Sequence, residues 1–475
     1  MLLREVALET RSLAQLEGLV RPSHLEKFRS ILGTVANRLE GRTLWHVNST
    51  AEGGGVAELL HQLLGYLIEG GIRCRWIVVE GDQDFFWVTK RLHNRLHGSE
   101  GDGGPLGEEE REMYMGVLRR ELAPLLDLVS PGDIAILHDP QTAGLAGPLA
   151  DTGLGVEWVC HVGVDTPTDI VRSAWAFLRP DIEQAHASVF SRRAYVWEGL
   201  DRRKVSVIPP CIDPVSPKNA ELEASDVDAI LGAAGVLTVP EPSEARVEID
   251  GVGSVHVHRD AERVEEGPVP ADAALVAQVS RWDRLKGPVG VLQGFARHVR
   301  PSLDAHLLLV GPAMASVADD PEGAEVFAEA LAAWQRLPAR SCARVHLVNL
   351  PAEDRIENAV VVNALQRKVD VVVQKSLAEG FGLTVTEAMW KERPVVASRV
   401  GGIQDQIVDG RSGLLIAPTD LPSLGKAISS LIADLDLAQA VGHAARERVR
   451  NRFLPPHFLG GHLGVIDRIM REVLE

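Results

Sequence analysis

The 475-residue chain lacks the sequence features of membrane, secreted and zinc-thiolate proteins. No apolar run approaches the roughly 18–20 residues that a membrane span needs, and the first residues contain no signal-peptide core. The four cysteines are scattered and never form C-x-x-C, which argues against a thiolate zinc site and a disulfide scaffold. We therefore expect a soluble, cytoplasmic protein.

The chain also lacks an excess of positive charge. It carries 49 Lys and Arg against 66 Asp and Glu, a formal net charge of −17. Such a surface repels nucleic-acid phosphate, although a local basic pocket for a small anion is compatible with it. With 45% hydrophobic and 24% charged residues the composition is typical of globular proteins, and the length predicts two or three domains.

Short apolar strands alternate with helical stretches in both halves of the chain. After a helix-like segment over residues 1–40, the first half has predicted strands at 42–47, 72–79, 134–137, 156–160 and 205–208. The second half has them at 274–279, 306–310, 345–347, 369–373, 394–397 and 413–415. This pattern favours parallel sheets covered by helices on both faces, and so predicts an α/β protein with two Rossmann-like domains.

A change in charge marks the expected domain boundaries. Residues 220–272 contain thirteen acidic residues and three arginines, so residues 216–271 are expected to form an acidic linker or insertion, with a surface hairpin that turns at Asp250-Gly251. The flanking domains are expected at 1–215 and 272–454. Pro455-Pro456 interrupts the preceding helix, and a helix over 455–475 is expected to pack back on the first domain.

A glycine run, Gly53-Gly54-Gly55, lies between a predicted strand and a predicted helix. Glycine lets the backbone approach a ligand closely, and the helix N-terminus offers N–H groups to it. The run is neither a G-x-G-x-x-G fingerprint nor a P-loop. Taken alone, it fits a tight turn as well as a binding site.

Two cations, Arg281 and Lys286, follow the first strand of the second half. The carboxyl ends of parallel strands are where α/β sheets bind ligands. An arginine fork and a lysine point charge suit a diphosphate. A solvated loop explains the pair equally well without further context.

The segment Lys375–Met389 is the most informative in the chain. A glycine-containing loop joins a strand to a helix that is predicted to begin near Leu383, and the N–H groups of residues 381–384 would point at a ligand. Glu379 on the loop and Glu387 on the helix suit the recognition of sugar and ribose hydroxyls. A glycosidase pair of carboxylates is disfavoured, because a hydrolase needs no anion-binding loop.

Glu379-Gly380-Phe381-Gly382 with Glu387 resembles the E-x7-E signature of retaining GT-B glycosyltransferases, and Arg281 with Lys286 resembles their diphosphate-binding pair. The closer resemblance is to the glycosyltransferring trehalose synthases. It is carried by His46–Glu58, Leu137–Gln141, Asp201–Lys204, Pro209–Pro214 and Glu379–Trp390, and it covers nearly the whole chain apart from about 220–270. It implies the GT-B fold, with two Rossmann-like domains facing each other across a cleft.

The resemblance also implies a role for each candidate residue. Glu379 would contact the glucose hydroxyls of the donor, His161 would lie beside the transferred sugar, and Asp139 and Gln141 would face the acceptor. The groups that would hold or line the nucleotide-sugar site are Gly53, Gly54, Gly55, Arg281, Lys286, Gly380, Phe381, Gly382, Leu383, Thr384 and Glu387. The catalytic set would be His161, Arg281, Lys286 and Glu379.

The implied reaction is retaining transfer of glucose from a nucleotide-diphosphoglucose, with ADP-glucose or UDP-glucose as the donor, to glucose, which forms trehalose. No metal or separate cofactor is required where protein cations serve the phosphates. The expected partners are small sugars and nucleotide-sugars, without nucleic acid or membrane, and a homodimer is compatible with the sequence. The alternatives are a trehalose phosphorylase, a retaining glucosyltransferase with another acceptor, a sugar-nucleotide epimerase and a non-catalytic sugar-nucleotide sensor.

Overall fold

The computed structural model describes residues 4–52, 54–238, 245–270, 272–313 and 321–474. The chain forms two compact units, the first comprising Met1–Asp213 with Phe453–Glu475 and the second Pro214–Arg452. Each unit is built on a seven-stranded, mostly parallel sheet with helices between its strands. The prediction of two Rossmann-like α/β folds is confirmed.

The first unit alternates strands with helices. Its strands are β1 (Arg4–Val6), β2 (Leu44–Asn48), β3 (Cys74–Val78), β4 (Ile134–His138), β5 (Gly155–Cys160), β6 (Ala187–Phe190) and β7 (Val205–Val207). Its helices up to β7 are α1 (Pro22–Arg38), α2 (Gly55–Glu69), α3 (Gln83–Leu96), α4 (Glu108–Leu126), α5 (Asp139–Thr142), α6 (Ala146–Ala150) and α7 (Asp169–Ile182).

The strand order of the first sheet is β1-β3-β2-β4-β5-β6-β7, with every pair parallel except β1 with β3. The order reverses between β2 and β4, which is the topological switch point of such a sheet. The central strands are buried, and Trp45, Trp158 and Phe190 contribute large aromatic side chains to the core.

The second unit begins with a helix and a hairpin, and then repeats the alternation. Its strands are β8 (Ala245–Ile249), β9 (Gly253–Val257), β10 (Glu262–Val264), β11 (Ala274–Val279), β12 (Ala305–Pro312), β13 (Val345–Leu350), β14 (Val371–Gln374), β15 (Val395–Ser398) and β16 (Leu414–Ile416). Its helices are α8 (Ala224–Ala233), α9 (Pro288–His298), α10 (Pro321–Gln335), α11 (Ala339–Cys342), α12 (Arg355–Lys368), α13 (Leu383–Trp390), α14 (Ile403–Gln406), α15 (Leu421–Ala433) and α16 (Leu435–Arg452).

The second sheet has the order β10-β13-β12-β11-β14-β15-β16, and only β10 runs antiparallel to its neighbour. Val276 of β11 lies opposite Leu307 on one side and Val371 on the other. The order therefore reverses at β11 and β14, so the loops that leave these two strands lie side by side.

Several helices begin where their sequence predicts. Asp82, Asp354 and Asp420 cap α3, α12 and α15 by accepting hydrogen bonds from backbone N–H groups of the first turn. Pro22 and Pro288 open α1 and α9, where a proline costs no intrahelical hydrogen bond. Within the described ranges, none of the helices is both long and apolar enough to cross a bilayer.

The acidic segment is part of the second unit and not a linker between domains. Its predicted hairpin is confirmed, since β8 and β9 pair antiparallel across Asp250-Gly251. Strand β10 extends the second sheet, and the Glu357 side chain of α12 accepts hydrogen bonds from the backbone N–H groups of His258 and Arg259. Backbone pairing and these charge-assisted bonds hold a segment that composition alone assigns to the surface.

The other differences from the sequence prediction concern short elements. The expected helix-like segment over 1–40 is a helix only from Pro22, and Arg4–Val6 instead forms an edge strand on β3. Strands β6 and β10 were not predicted.

The chain returns to the first unit after α16. Helix α17 (Pro455–Ile469) packs on α1, where His457 Nε2 lies 3.1 Å from His24 Nδ1 and Arg38 lies 3.3 Å from Asp467. The polar inner face of α17 also reaches β5, because His462 Nδ1 lies 2.5 Å from Glu157 Oε1. This helix therefore adds a histidine to the interior of the first unit.

Candidate functional site

At the switch point of the second sheet, a buried glutamine holds the two loops together. Gln278 of β11 donates from Nε2 to the carbonyl of Lys286 at 3.1 Å, and its Oε1 accepts from the N–H of Lys375 at 3.1 Å. The N–H of Leu377 also donates to the carbonyl of Leu285 at 2.6 Å. The two loops are thus fixed to each other before any ligand binds.

This arrangement brings Lys286 and Glu379 into contact. The Lys286 ammonium lies 2.5 Å from Glu379 Oε2, and both side chains are largely buried. Ser376 Oγ donates to the same carboxylate oxygen at 3.0 Å. An ammonium has three donors, so Lys286 can keep this bond and still donate to an anion.

Arg281 lies on the same loop in a more exposed setting. Its guanidinium is 3.2 Å from Asp283 Oδ2, and 64% of its side-chain surface is accessible. An exposed arginine next to an acidic neighbour can reorient at little cost. Its convergence with Lys286 on one anion stays a prediction.

The loop before α13 has a tightly specified backbone. Gly382 caps the helix with φ of 85°, a left-handed conformation that favours glycine. Gln406 Nε2 donates to the carbonyls of Phe381 and Gly382 at 2.5 and 3.2 Å, and Thr386 Oγ1 donates to Gln406 Oε1 at 2.6 Å. As at any helix N-terminus, the first N–H groups of α13, at the carboxyl end of β14, have no acceptor one turn earlier in the helix.

Glu387 lies on α13 and is 2% exposed. Its Oε1 lies 3.0 Å from the Lys218 ammonium, whereas its Oε2 has no hydrogen-bond partner among the described residues. A buried carboxylate oxygen without a donor is costly unless a ligand supplies one. Lys218 was not predicted, because it lies 169 positions away in sequence.

A further cation, Lys375, follows β14 directly and is 3% exposed. Its ammonium makes no hydrogen bond or ion pair with any other residue that the structure describes. It lies beside the first turn of α9, because a Cβ added at Gly290 would be 2.7 Å from Lys375 Nζ. Burial lowers the pKa of Lys375, as expected for an ammonium without an acceptor.

The first unit carries a second group of polar residues at its own switch point. His46 lies on β2, His138 ends β4, Asp139 opens α5, and His161 follows β5. Asp139 has φ of 62°, and its Oδ1 accepts the N–H of His161 at 2.8 Å. The left-handed backbone at Asp139 is strained for a non-glycine residue, and this bond ties it to His161.

The imidazoles of these residues form a row. His46 Nδ1 lies 3.1 Å from His138 Nε2, and His138 Nδ1 lies 3.5 Å from His161 Nε2. Burial lowers the pKa of His46 to about 3 and the pKa of His138 well below its ordinary value. Burial also lowers the pKa of His161, which the nearby Asp139 carboxylate partly opposes. Burial therefore favours the neutral form of each imidazole in this row.

The structure describes all of the remaining candidate residues of the first unit except Gly53. Gly54 has φ of 81° and caps α2, which begins at Gly55, while Gly53 lies outside the described residues. Gln141 lies in the short helix α5, one turn after His138. The described residues hold no group of three or more His, Cys, Asp or Glu that could bind a metal ion.

Two family models and a close set of relatives match this chain. The model described as "Trehalose synthase, N-terminal domain" matches residues 46–197, and the model for group 1 glycosyl transferases matches residues 260–448. A trehalose synthase of Pyrococcus horikoshii is 36% identical over 453 residues, which cover 94% of this chain and 96% of the relative. The chain belongs to the trehalose synthase family. It is an enzyme of the glycosyltransferase type.

A more distant relative and a solved structure are also similar to this chain. A trehalose phosphorylase of Grifola frondosa is 25% identical over 85% of this chain and 54% of its own length. The crystal structure of an α,α-trehalose-phosphate synthase (UDP-forming) from Burkholderia vietnamiensis superposes with a TM-score of 0.66 at 16% identity, covering 90% of this chain and 99% of that chain. The similarity of structure shows the GT-B fold, which confirms the fold prediction.

Several residues of these two groups were not singled out from the sequence. Gln278 and Lys375 follow or end apolar strands, where a polar residue is itself a signal. His46 and His138 lie inside the segments that carry the family resemblance, but their mutual contact depends on the order of strands β2 and β4. His462 comes from α17, more than 300 residues later, and no local pattern connects it to β2.

The fixed loop before α13 yields a prediction about Gly402. A Cβ at this position would lie 2.6 Å from the Phe381 Cα and 2.9 Å from the Gly380 carbonyl oxygen, so the backbone must shift. Gly402→Ala should lower the free energy of unfolding by about 1–3 kcal/mol, the usual cost of overpacking, as measured by denaturant unfolding. Gly116→Ala, at an open position of α4, should be neutral or stabilising. Equal effects of the two substitutions would contradict the argument.

The buried imidazoles predict acid lability. The pKa of His46 is about 3 in the folded protein against an ordinary value of 6.5, so between these values the unfolded chain binds more protons. The free energy of unfolding should therefore fall as the pH drops from about 6.5 to 3, by at most about 1.4 kcal/mol per pH unit from this group. His46→Phe should flatten that slope in urea titrations at pH 7, 6, 5 and 4. An unchanged slope would show that His46 is charged or solvated in the folded state.

Proposed function

We propose that this enzyme transfers glucose, with retention of configuration, from a nucleotide-diphosphoglucose to glucose and so forms trehalose. The observation that supports it most directly is the Lys286–Glu379 pair beside the start of α13, at the carboxyl ends of β11 and β14. A cation, a carboxylate and free helix N–H groups are what a sugar diphosphate needs. Family membership supplies the reaction class.

The diphosphate of the donor is assigned to the second unit. Lys286 and the first N–H groups of α13 would bind its oxygens, and Arg281 would turn from Asp283 to add a guanidinium fork. Lys375 would supply the nearest further positive charge. When the bond to glucose breaks, negative charge develops on the diphosphate, and preorganised donors stabilise it without reorganisation.

The sugar and the ribose are assigned to the two glutamates. Glu379 Oε1 would accept from a glucose hydroxyl while Oε2 stays with Lys286 and Ser376. The unpartnered Glu387 Oε2 would accept from a ribose hydroxyl, which satisfies a buried acceptor. Inorganic phosphate carries no ribose, and its negative charge would be repelled by this carboxylate, which favours a nucleotide donor over phosphorolysis.

In the first unit, His161, Asp139 and Gln141 are assigned to the transferred sugar and the acceptor. They lie after β4 and β5, at the carboxyl edge of that sheet. In the proposed step the acceptor hydroxyl attacks the anomeric carbon from the face that the diphosphate leaves. A diphosphate oxygen then takes the hydroxyl proton, so the carboxylates can remain ionised throughout.

Nucleotide binding tests the donor assignment. ADP or UDP should raise the thermal stability of the protein, by roughly 2.7 kcal/mol at a hundredfold excess over Kd, and the 2′- and 3′-deoxy analogues should bind more weakly. Glu387→Gln should abolish this discrimination, because the amide can no longer accept as a carboxylate does. The measurement is a thermal-shift titration of the wild-type protein and the Glu387→Gln variant with both nucleotides, their deoxy analogues and phosphate.

The matched control is Glu357→Gln, which changes another buried glutamate of the second unit. It should lower the stability of the protein but leave the preference for ribose over deoxyribose intact. Stabilisation by phosphate alone, with cleavage of trehalose to glucose 1-phosphate, would replace the proposal with the phosphorylase alternative.

Substitution of the cations tests the phosphate assignment. Lys286→Ala and Arg281→Ala should each lower kcat by about 10²–10³-fold, because each removes charge stabilisation of the transition state. Lys375→Met should weaken nucleotide-diphosphate binding and yet raise the melting temperature, since it removes a buried unpaired ammonium. The control Lys368→Met changes a lysine that pairs with Asp228 on the surface of the same unit. Unchanged binding by the Lys375 variant would assign that residue a structural role.

A further inference from the structure

Four histidines from four separate elements meet inside the first unit. His46, His138 and His462 are 5%, 4% and 7% exposed, and His161 closes the row at the sheet edge. The rings of His46 and His138 are nearly parallel, as are those of His138 and His161, with interplanar angles of 16° in both pairs. Packing a protein core does not require a row of histidines, because each buried ring nitrogen needs a hydrogen-bond partner that an apolar side chain would not need.

The chemistry of imidazole couples the rings of this row. A neutral imidazole has one N–H donor and one acceptor nitrogen, and both nitrogens of His138 face a neighbouring imidazole. If His138 donates to His161, it must accept from His46; if it accepts from His161, it must donate to His46. The proton position on His161 is therefore linked to that on His46, two rings away.

The far end of the row faces an internal cavity. His46 Nε2 and His462 Nε2 are both buried without a hydrogen-bond partner among the described residues, and both histidines line a cavity of about 30 Å³. That space is large enough for a water molecule. The other nitrogen of His462 is fixed on Glu157, at 2.5 Å. His462 thus contacts the buried Glu157 carboxylate and also lines the same cavity as His46.

We propose that His46 and His138 are positioning residues that determine which nitrogen of His161 carries the proton, and so which hydrogen bond His161 offers to the sugar. This inference rests on the proposed role of His161 in the glucosyl transfer. The 3.5 Å separation of His138 and His161 is at the outer limit of a hydrogen bond. Hydrogen bonds of this kind commonly tighten when substrate binds.

Nitrogen-15 NMR of the histidine rings tests the coupling without any substrate. In the wild-type protein at pH 7, His161, assigned by its absence in His161→Gln, should show one protonated and one unprotonated ring nitrogen. His46→Phe should convert His161 to a mixture of tautomers, although the two rings are separated by His138. His46→Asn keeps a hydrogen-bonding group near the position of Nδ1 and should restore the single tautomer.

The matched control is His306→Phe. His306 and His346 form a similar buried pair in the second unit, with Nδ1 and Nε2 2.9 Å apart. This substitution should leave the spectrum of His161 unchanged. If His46→Phe fails to fold, the wild-type spectrum and His46→Asn still decide the question, because a mixed tautomer of His161 in the wild-type protein overturns the proposal.

Kinetics separate this proposal from the proposed function. His46→Phe should lower kcat on the order of tenfold, the scale of one hydrogen bond, with KM for the nucleotide-sugar little changed. A single His161 tautomer in a protein that transfers no glucose would refute the function and keep the coupling. A mixed tautomer in an active enzyme would refute the coupling alone.

Discussion

A parallel sheet whose strand order reverses leaves the carboxyl ends of two neighbouring strands without a helix to cover them. Both units of this protein are built on that constraint, at β2 and β4 in the first and at β11 and β14 in the second. The polar groups that follow these strands have no apolar layer above them, so they must bond one another or bind a ligand. In the second unit, the Gln278 side chain bonds the backbone carbonyl of Lys286 and the backbone N–H of Lys375. In the first unit, the Asp139 carboxylate accepts a hydrogen bond from the backbone N–H of His161.

Electrostatics at the second switch point are incompletely balanced within the protein. Lys286 is neutralised by Glu379, whereas Lys375 is buried without a counterion among the residues that the structure describes. On the other side of α13, burial lowers the pKa of Lys391 to about 7, an effect that the nearby Glu387 opposes. Holding charges in this arrangement costs folding free energy, which binding of the proposed donor, with its anionic diphosphate and its hydroxyl groups, would offset. At the corresponding place the first unit has buried imidazoles whose neutral form is favoured by burial, in keeping with its proposed role in binding sugar hydroxyls.

The sequence was sufficient for the features that have a local pattern. Strand β11 was predicted to the residue, and the start of α13 at Leu383 followed from the glycine-containing loop before it. Strands β1 and β6 were missed, and the acidic composition of residues 220–272 concealed β10, which pairs with β13. Amino-acid composition indicates how exposed a segment is on average. It does not indicate whether the backbone of that segment pairs with a strand about eighty residues away.

The site was predictable only in its local parts. Glu379 and Glu387 stand in one short motif, and Arg281 and Lys286 are five residues apart, so spacing could expose them. Lys218 against Glu387, and His462 within reach of the His46 cavity, depend on chain segments brought together by packing. Contacts of that kind have no period or spacing in the sequence, and the three-dimensional fold is needed to find them.

The central claim is a retaining glucosyl transfer between a nucleotide-sugar and glucose. Purified protein should be incubated with UDP-glucose or ADP-glucose labelled with carbon-13 at the anomeric carbon, together with unlabelled glucose, and followed by NMR. The expected product is a labelled α,α-linked disaccharide, formed together with the free nucleoside diphosphate in equal amounts. A β-linked product, free labelled glucose alone, or no consumption of either donor would contradict it.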